Sequence, residues 1–331
     1  MVEFTPVVFA SSDDSGSQRL AQINQRQERF NRLFETFGLN TQKAMKSDWL
    51  DYGRYCQRVN SPEILLNPEQ MQNQVRSYVL SMLERLKRAT IKRRVNTLSV
   101  VLGYLEAYDP FSDKLFKKEI SNRIDLISAP QGQATPLSKE MLIAFTEKMD
   151  RTSLKSVRDT LLVNLAFDTL CRSAELRVAE FSDVKFEPDG TGTLLVRRSK
   201  NDKSAVGSLR FISSKTVDLL KLWQQMSGLE DGFIIRSVTH TGKLMPPREN
   251  KKTLRPICHN TLVSAFKQVD FNLSGHSARV GSVIEQFRND IKLYAVQQSG
   301  GWKSPLMPVH YGKQIETKNS GSAQLSKKLG R

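Results

Sequence analysis

The stretch SGHSARVGSV, residues 274–283, sets His276 three residues ahead of Arg279, among Ser274, Gly275, Ser277 and Gly281. Side chains three apart on a helix share a face, and glycine and serine ahead of the pair are the chemistry of a helix start. A titratable ring and a permanent cation would then stand together on an opening turn. Taken alone, the pair reads better as a capping cluster with a solvated arginine, since so short a motif recurs by chance. A second pair, Arg172 and Glu175, ends the apolar run LLVNLAFDTLCRSAE with the same spacing. VRRSKNDKS then carries Lys200 and Lys203, and SGGWKSPLMPVHYGKQ carries Trp302 and, nine residues later, Tyr311.

These are groups that attack on a phosphodiester would use. Such a reaction builds negative charge on two non-bridging oxygens, and fixed donors aimed at them stabilise the transition state. Arg172 and Arg279 offer permanent charge in a planar fork, and Trp302 adds an indole N–H. Tyr311 would be the nucleophile. Its phenol ordinarily ionises near pH ~10, so it needs neighbouring cations or a base. His276 would accept its proton or donate to the phosphate. Lys200, with Lys203 as its rival, would protonate the leaving 5′-oxygen. Glu175 would orient Arg172 or His276. Each residue also has an ordinary reading. The arginines could be surface ion pairs, Trp302 a core aromatic, Tyr311 a half-buried side chain, the lysines solvated, and Glu175 a helix-surface carboxylate. His310, beside Tyr311, is read as a neighbour without a chemical role.

The elements that must position this set are mostly helices. From Gln18 the pattern turns helical, and Leu20, Ile23, Phe30, Leu33, Phe34 and Phe37 form an apolar stripe that stops at Gly38. Further helices are expected from a Thr41 cap to about Arg58, from Pro68, from near Thr90, and over 111–126. Together they make an all-helical domain, 18–127, behind a flexible arm at 1–17. SAPQGQATPLS, 128–138, reads as a linker. Beyond it, 139–331 is expected to be α+β. Helices cover about 138–149 and 153–170, and three short strands follow across FSDVKFEPDGTGTLLVRRSKNDKSAVGSLRFISS. Helices then run from about Ser214 to the end. The fold class is mainly α with a small antiparallel sheet.

Composition narrows the partner. The 331 residues hold 50 Lys and Arg against 34 Asp and Glu, a formal net charge of +16, which points to a polyanion. Residues 1–130 hold 19 basic and 15 acidic side chains, and residues 131–331 hold 31 and 19, so the second part is the more cationic. No apolar run is long enough for a bilayer and no signal-peptide pattern opens the chain, which argues for the cytoplasm and against membrane. Cys56, Cys171 and Cys258 are scattered and odd in number, so neither a disulfide framework nor a zinc site is expected. RLKRATIKRR, 85–94, puts Arg85, Lys87, Arg88, Lys92, Arg93 and Arg94 at a helix start. The apolar stripe of that helix predicts that Lys92, Arg93 and Arg94 face outward, as a major-groove helix needs. A solvated basic face fits equally. Thr41, Lys43, Lys46 and Ser47 make a smaller polar cluster, and Arg236 and Asn260 are weaker candidates for DNA contact.

In the order Arg172, Lys200, His276-x-x-Arg279, Trp302, Tyr311, the set resembles that of the tyrosine site-specific recombinases. The SGHSARVG box, the GGW element and the nine-residue gap from Trp302 to Tyr311 are most similar to the Cre-like phage and plasmid branch. KSDWLDYGRYCQ, NPEQMQNQVRSYVLSM and ATIKRRVNTLSVVLGYLEA look like the family's N-terminal core-binding helices. The resemblance implies a two-domain DNA clamp that cleaves DNA through a 3′-phosphotyrosine. It implies strand exchange through a Holliday junction and resealing, with neither ATP, metal nor other cofactor. It implies a duplex target with an inverted repeat, a homodimer on one site and a homotetramer on two, with a C-terminal tail, 320–330, docking in trans. The alternatives are a Xer-type dimer resolvase, and a non-catalytic DNA-binding regulator derived from a recombinase. The second of these predicts loss of Tyr311 or of an arginine, and all are present.

Overall fold

The computed structural model describes residues 25–26, 28–127, 132–197, 206–245, 256–316 and 320–331, without the side chains of 314–316. The 1–17 arm, Lys200 and Lys203 lie outside the described residues. The chain divides into two compact units between Gly132 and Gln133.

The first unit is helical. After helical turns over 28–34 come α1 (Leu39–Arg58), α2 (Pro68–Leu83), α3 (Arg88–Tyr104) and α4 (Lys114–Asp125). Gly38, not Thr41, is the N-cap of α1, and Thr41 lies within its first turn, where its backbone N–H bonds the Gly38 carbonyl at 2.8 Å. Asn67 caps α2 by accepting from the Gln70 N–H, and Pro68 occupies a first-turn position that needs no donor. The single helix expected over 111–126 is split. Asp109 caps a 3₁₀ turn, Pro110–Ser112, and Asp113 accepts from the backbone N–H groups of Leu115 and Phe116 to start α4 anew. Trp49, Tyr52, Val75, Tyr78, Val79, Ile91, Leu98 and Leu102 fill the core.

The second unit is built around α6 (Leu154–Thr169), which follows α5 (Lys139–Glu147). Its run of Val157, Leu161, Leu162 and Leu165 is fully buried, and truncating one of those leucines to alanine would cost about 2–5 kcal/mol. A short α7 (Ser173–Arg177) leads to an antiparallel sheet of β1 (Val184–Phe186), β2 (Gly192–Val196) and β3 (Ser208–Ile212), in the order β1-β2-β3. Leu194 of β2 pairs with both Val184 and Arg210. Then come α8 (Ser214–Ser227), α9 (His259–Val269), α10 (Ser277–Arg288), α11 (Leu293–Gly300), α12 (Leu306–Glu316) and α13 (Gly321–Lys328). Continuous helix from Ser214 onward is not what forms. Between Gly228 and Cys258 the described chain makes turns and isolated bridges, pinned where the Trp223 indole donates to the Ile234 carbonyl at 2.7 Å. Among the described residues no helix is long and apolar enough to cross a membrane.

Candidate active site

α6 ends at Leu170 in the left-handed region, φ 51°, which costs a non-glycine residue about 1–3 kcal/mol. The turn it makes serves two arginines. Its carbonyl accepts a hydrogen bond from Arg279 Nη1, and two residues later Arg172 opens α7. The Glu175 carboxylate takes the Arg172 backbone N–H at 2.8 Å and its Nη1 at 2.7 Å. Glu175 is buried, whereas the Arg172 side chain is 29% exposed, so one face of that guanidinium is held and another is open. Ser173 joins this turn to the loop before α10, where its hydroxyl donates to the Gly275 carbonyl at 3.1 Å.

His276 is the N-cap of α10 and Arg279 lies in the helix's first turn. Arg279 is no surface cation, being 1% exposed. Nη2 donates to the Gly300 carbonyl at 2.9 Å, and the guanidinium carbon stands 3.9 Å from the centre of the Trp302 ring. Burial, and next the Arg172 charge, lower its pKa to about 10, which leaves it charged at neutral pH. Gly300 and Gly301 make this packing possible. A Cβ on Gly300 would fall 1.8 Å from the Trp302 ring, and Gly301 turns the chain at φ 59°.

Tyr311, on α12, is 8% exposed, and its hydroxyl is 2.8 Å from His276 Nε2. Its ring meets Trp302 edge to face at 6.1 Å. Burial raises its pKa, against the pull of Arg279 and Arg172. Burial lowers that of His276, and Arg279 and Arg172 push the same way. At neutral pH the imidazole is therefore uncharged. With its proton on Nδ1, Nε2 is the acceptor that a phenol O–H needs. His310 is exposed and meets Tyr311 only ring to ring, at 5.9 Å.

Arg172, Glu175, His276, Arg279, Trp302 and Tyr311 are thus one cluster, drawn from α7, α10, α12 and the turn after α11. The basic residues of the first unit follow the stripe's prediction except at Arg94. Asp48 and Asp51 lie on the side of α1 that meets α3. Arg94 pairs with Asp51 and is only 14% exposed, and Arg93 bonds the buried Asp48 at 2.9 Å. Burial raises the Asp48 carboxyl, while a Thr97 hydroxyl bond and Arg93 oppose it. Lys92 and Arg88 both reach Asp125, at 2.9 and 2.6 Å. Lys92 and Arg93 face outward as expected, 47% and 45% exposed even while paired, and of the three only Arg94 is turned inward. Lys43, Arg85 and Lys87 are exposed, Thr41 is exposed, and Lys46 lies over the Phe34 ring at 5.3 Å. In the second unit Asn260 is exposed on α9. Arg236 is not available as a surface contact: it is 9% exposed and its Nη2 donates to the Met245 carbonyl at 3.0 Å.

Sequence reasoning passed over Arg210, a buried cation on β3 near Gly301. The signal was available. In SLRFI the arginine falls in the same alternating phase as Ile212, the phase that faces inward.

The phage integrase family model matches residues 136–317. An integrase/recombinase xerD homolog of Selenomonas ruminantium is 25% identical over 293 residues, covering 86% of this chain and 84% of the relative. Recombinase cre of Escherichia phage P1 is 22% identical, covering 96% and 94%. Among solved structures, XerH site-specific recombinase bound to a palindromic difH substrate superposes with a TM-score of 0.61 at 18% identity, over 96% of this chain and 90% of that one. A lambda integrase dimer on a COC′ core site gives 0.58 at 16% identity, over 91% and 81%. With more than half its length matched by the family model, the chain belongs to the phage integrase family, the tyrosine recombinases, which cleave and rejoin DNA.

Proposed function

We propose that Tyr311 is the nucleophile of a site-specific DNA recombination reaction and that the cluster around it holds one scissile phosphate. The phenol oxygen attacks phosphorus and the bond to the 5′-oxygen breaks, leaving a 3′-phosphotyrosine. The phenolic proton passes to His276 Nε2. The 5′-oxygen takes a proton from a lysine, Lys200 before Lys203. Arg172 and Arg279 bind the non-bridging oxygens, Trp302 backs Arg279, and Glu175 fixes Arg172. The covalent bond keeps the energy of the phosphodiester, so a second 5′-hydroxyl can reverse the step on a new strand without ATP. The observation that carries this reading is the 2.8 Å approach of the Tyr311 hydroxyl to a neutral, half-buried His276 beside two guanidiniums.

The same reading extends to assembly. The helical unit would contribute duplex contacts through Lys43, Arg85 and Lys87, with Asn260 adding one from the second unit, on an inverted-repeat site occupied by a dimer. Two sites would join in a tetramer that exchanges strands through a Holliday junction. A tail that docks on a neighbour fits α13, which buries none of its residues and leaves Leu325 and Leu329 56% and 60% exposed on one face. The similarity to a xerD homolog, alongside that to cre, favours dimer resolution as the second reading of the biological role.

The test is to trap covalent protein–DNA adducts on a genomic or library pool and sequence the attached DNA. Tyr311→Phe is expected to abolish the adduct while DNA binding stays within about twofold, since one hydroxyl contributes little to a phosphate-dominated interface. Persistent cleavage by Tyr311→Phe would remove Tyr311 from its role.

A further inference from the structure

The functional reading leaves Arg210 unused. It faces inward from β3, opposite Leu194, and is 4% exposed. A guanidinium in such a place ordinarily pairs with a carboxylate. Among the described residues its acceptors are instead two carbonyls, of Leu209 at 3.5 Å and Gln298 at 3.4 Å, and its Nε has none.

Its position explains what the charge sits against. A Cβ on Gly301 would lie 2.0 Å from Arg210 Nη2 and 2.7 Å from its Cζ. Gln298 is in the last turn of α11, Gly301 is its C-cap, and the next residue is Trp302. The guanidinium therefore packs flat against the turn that delivers the indole to Arg279. Its charge also reaches the site: it adds to the burial and the Arg172 charge that lower the Arg279 pKa, and it opposes the burial that raises the thiol of Cys171, the neighbour of Arg172. A buried cation with only carbonyl partners costs stability, and an apolar side chain of similar length in its place is often neutral or stabilising. Fold stability alone gives no reason for an arginine here.

We propose that Arg210 is a positioning residue. Its guanidinium clamps the end of α11 and the Gly301 turn to β3, and so sets the Trp302 ring on Arg279. The proposal rests on the reading of Arg279 and Trp302 as the groups that hold the phosphate.

The test uses the full chain labelled with 5-fluorotryptophan. The tryptophans at 49, 223 and 302 give three fluorine resonances, and Trp302→Phe identifies the last. Arg210→Met is expected to melt at or above the wild-type temperature and to shift the Trp302 resonance without moving the other two. It is expected to slow adduct formation by roughly 100-fold, the scale of a small misplacement of catalytic groups, with DNA affinity unchanged. Arg210→Lys, which keeps the charge but not the fork, is expected to fall between, and it carries the test if the methionine variant fails to fold. An unmoved Trp302 resonance overturns the proposal. So does a rate that falls only in step with melting temperature, because Arg210 would then merely support the fold. The fluorine measurement needs no DNA. A wild-type protein that formed no adduct would count against the functional reading, while this measurement would still decide the clamp.

Discussion

Glu175→Gln separates a residue that orients a catalytic group from one that only caps a helix. The carboxylate accepts two bonds, from the Arg172 backbone and from its guanidinium. Glutamine keeps one acceptor oxygen and turns its amide N–H₂ toward a donor. One charge-assisted bond is lost, about 1.5–3 kcal/mol where the acceptor is buried, and the exposure of Arg172 discounts this to about 1–2 kcal/mol. For a unit of this size that corresponds to about 2–8 °C in melting temperature. The catalytic effect should be larger. Losing an oxyanion donor outright costs about 10²–10³ in rate. Glu175→Gln keeps the guanidinium but frees it to swing, so cleavage is expected to fall about 10–100-fold, below that ceiling. The assay is single-turnover adduct formation beside a binding isotherm and a melt. Equal losses in affinity and rate, or no loss of rate despite the melt, would refute the reasoning, since Arg172 would then not need Glu175 to reach the phosphate.

Because the His276 pKa is lowered from its usual 6.5, the base stays uncharged through neutral pH and is protonated only at lower pH. The cleavage rate is expected to hold from pH 8 down to about 6.5 and to drop below it, and a midpoint above 6.5 in the pH–rate profile would contradict this. In the first unit, Lys87→Ala is expected to reduce the salt slope of DNA binding by about one, with the melt unchanged. Arg94→Ala, by contrast, is expected to lower the melting temperature, because the partly buried Asp51 loses its ion-pair partner and the buried Asp48 keeps only Arg93. Gly281→Ala would place a Cβ 1.9 Å from the Leu137 carbonyl oxygen, and it is expected to destabilise the second unit by more than about 1–3 kcal/mol in a denaturant melt, since backbone rather than a side chain would have to move.

The chemistry-bearing positions were legible because they are rare types at fixed spacings. None of Arg172, His276, Arg279, Trp302 and Tyr311 stood out alone, but their order and gaps together did, and the three-residue spacings foretold shared helical turns. The three strands were legible from turn residues and alternation. On the basic helix Arg94 was misread, because a cation's direction depends on the element packed beside it. The apolar stripe of α3 marks its buried side, but Asp48 and Asp51 belong to α1, and no periodicity within α3 reveals them. The burial of Arg236 was hidden for the same reason: a cation in a run of turns says nothing of the Met245 carbonyl that receives it. The break at Asp113 was visible as an aspartate two residues past a phenylalanine, yet the apolar spacing on either side reads as one helix. Leu170 gave no warning, since a left-handed leucine is set by what its carbonyl must meet and not by its own preference.

The resting geometry also decides how the nucleophile must be made. Burial raises the Tyr311 phenol above its usual value near 10, so at pH 7 fewer than about one molecule in a thousand carries the phenolate. The nearby guanidiniums lower that pKa but do not reverse the shift. On the proposed reading a preformed phenolate is scarce, and the Tyr311 proton would leave as the bond to phosphorus forms. That requirement gives the His276 contact its meaning, because an uncharged ring already bonded to the hydroxyl can take the proton without a prior rearrangement. It also explains why Arg279 is tied to the carbonyls of Leu170 and Gly300 before any phosphate arrives. Donors already fixed in a water-poor site need not be reordered as charge develops. On the proposed reading, the buried charge of Arg279, costly to the free protein, is compensated when a phosphate enters.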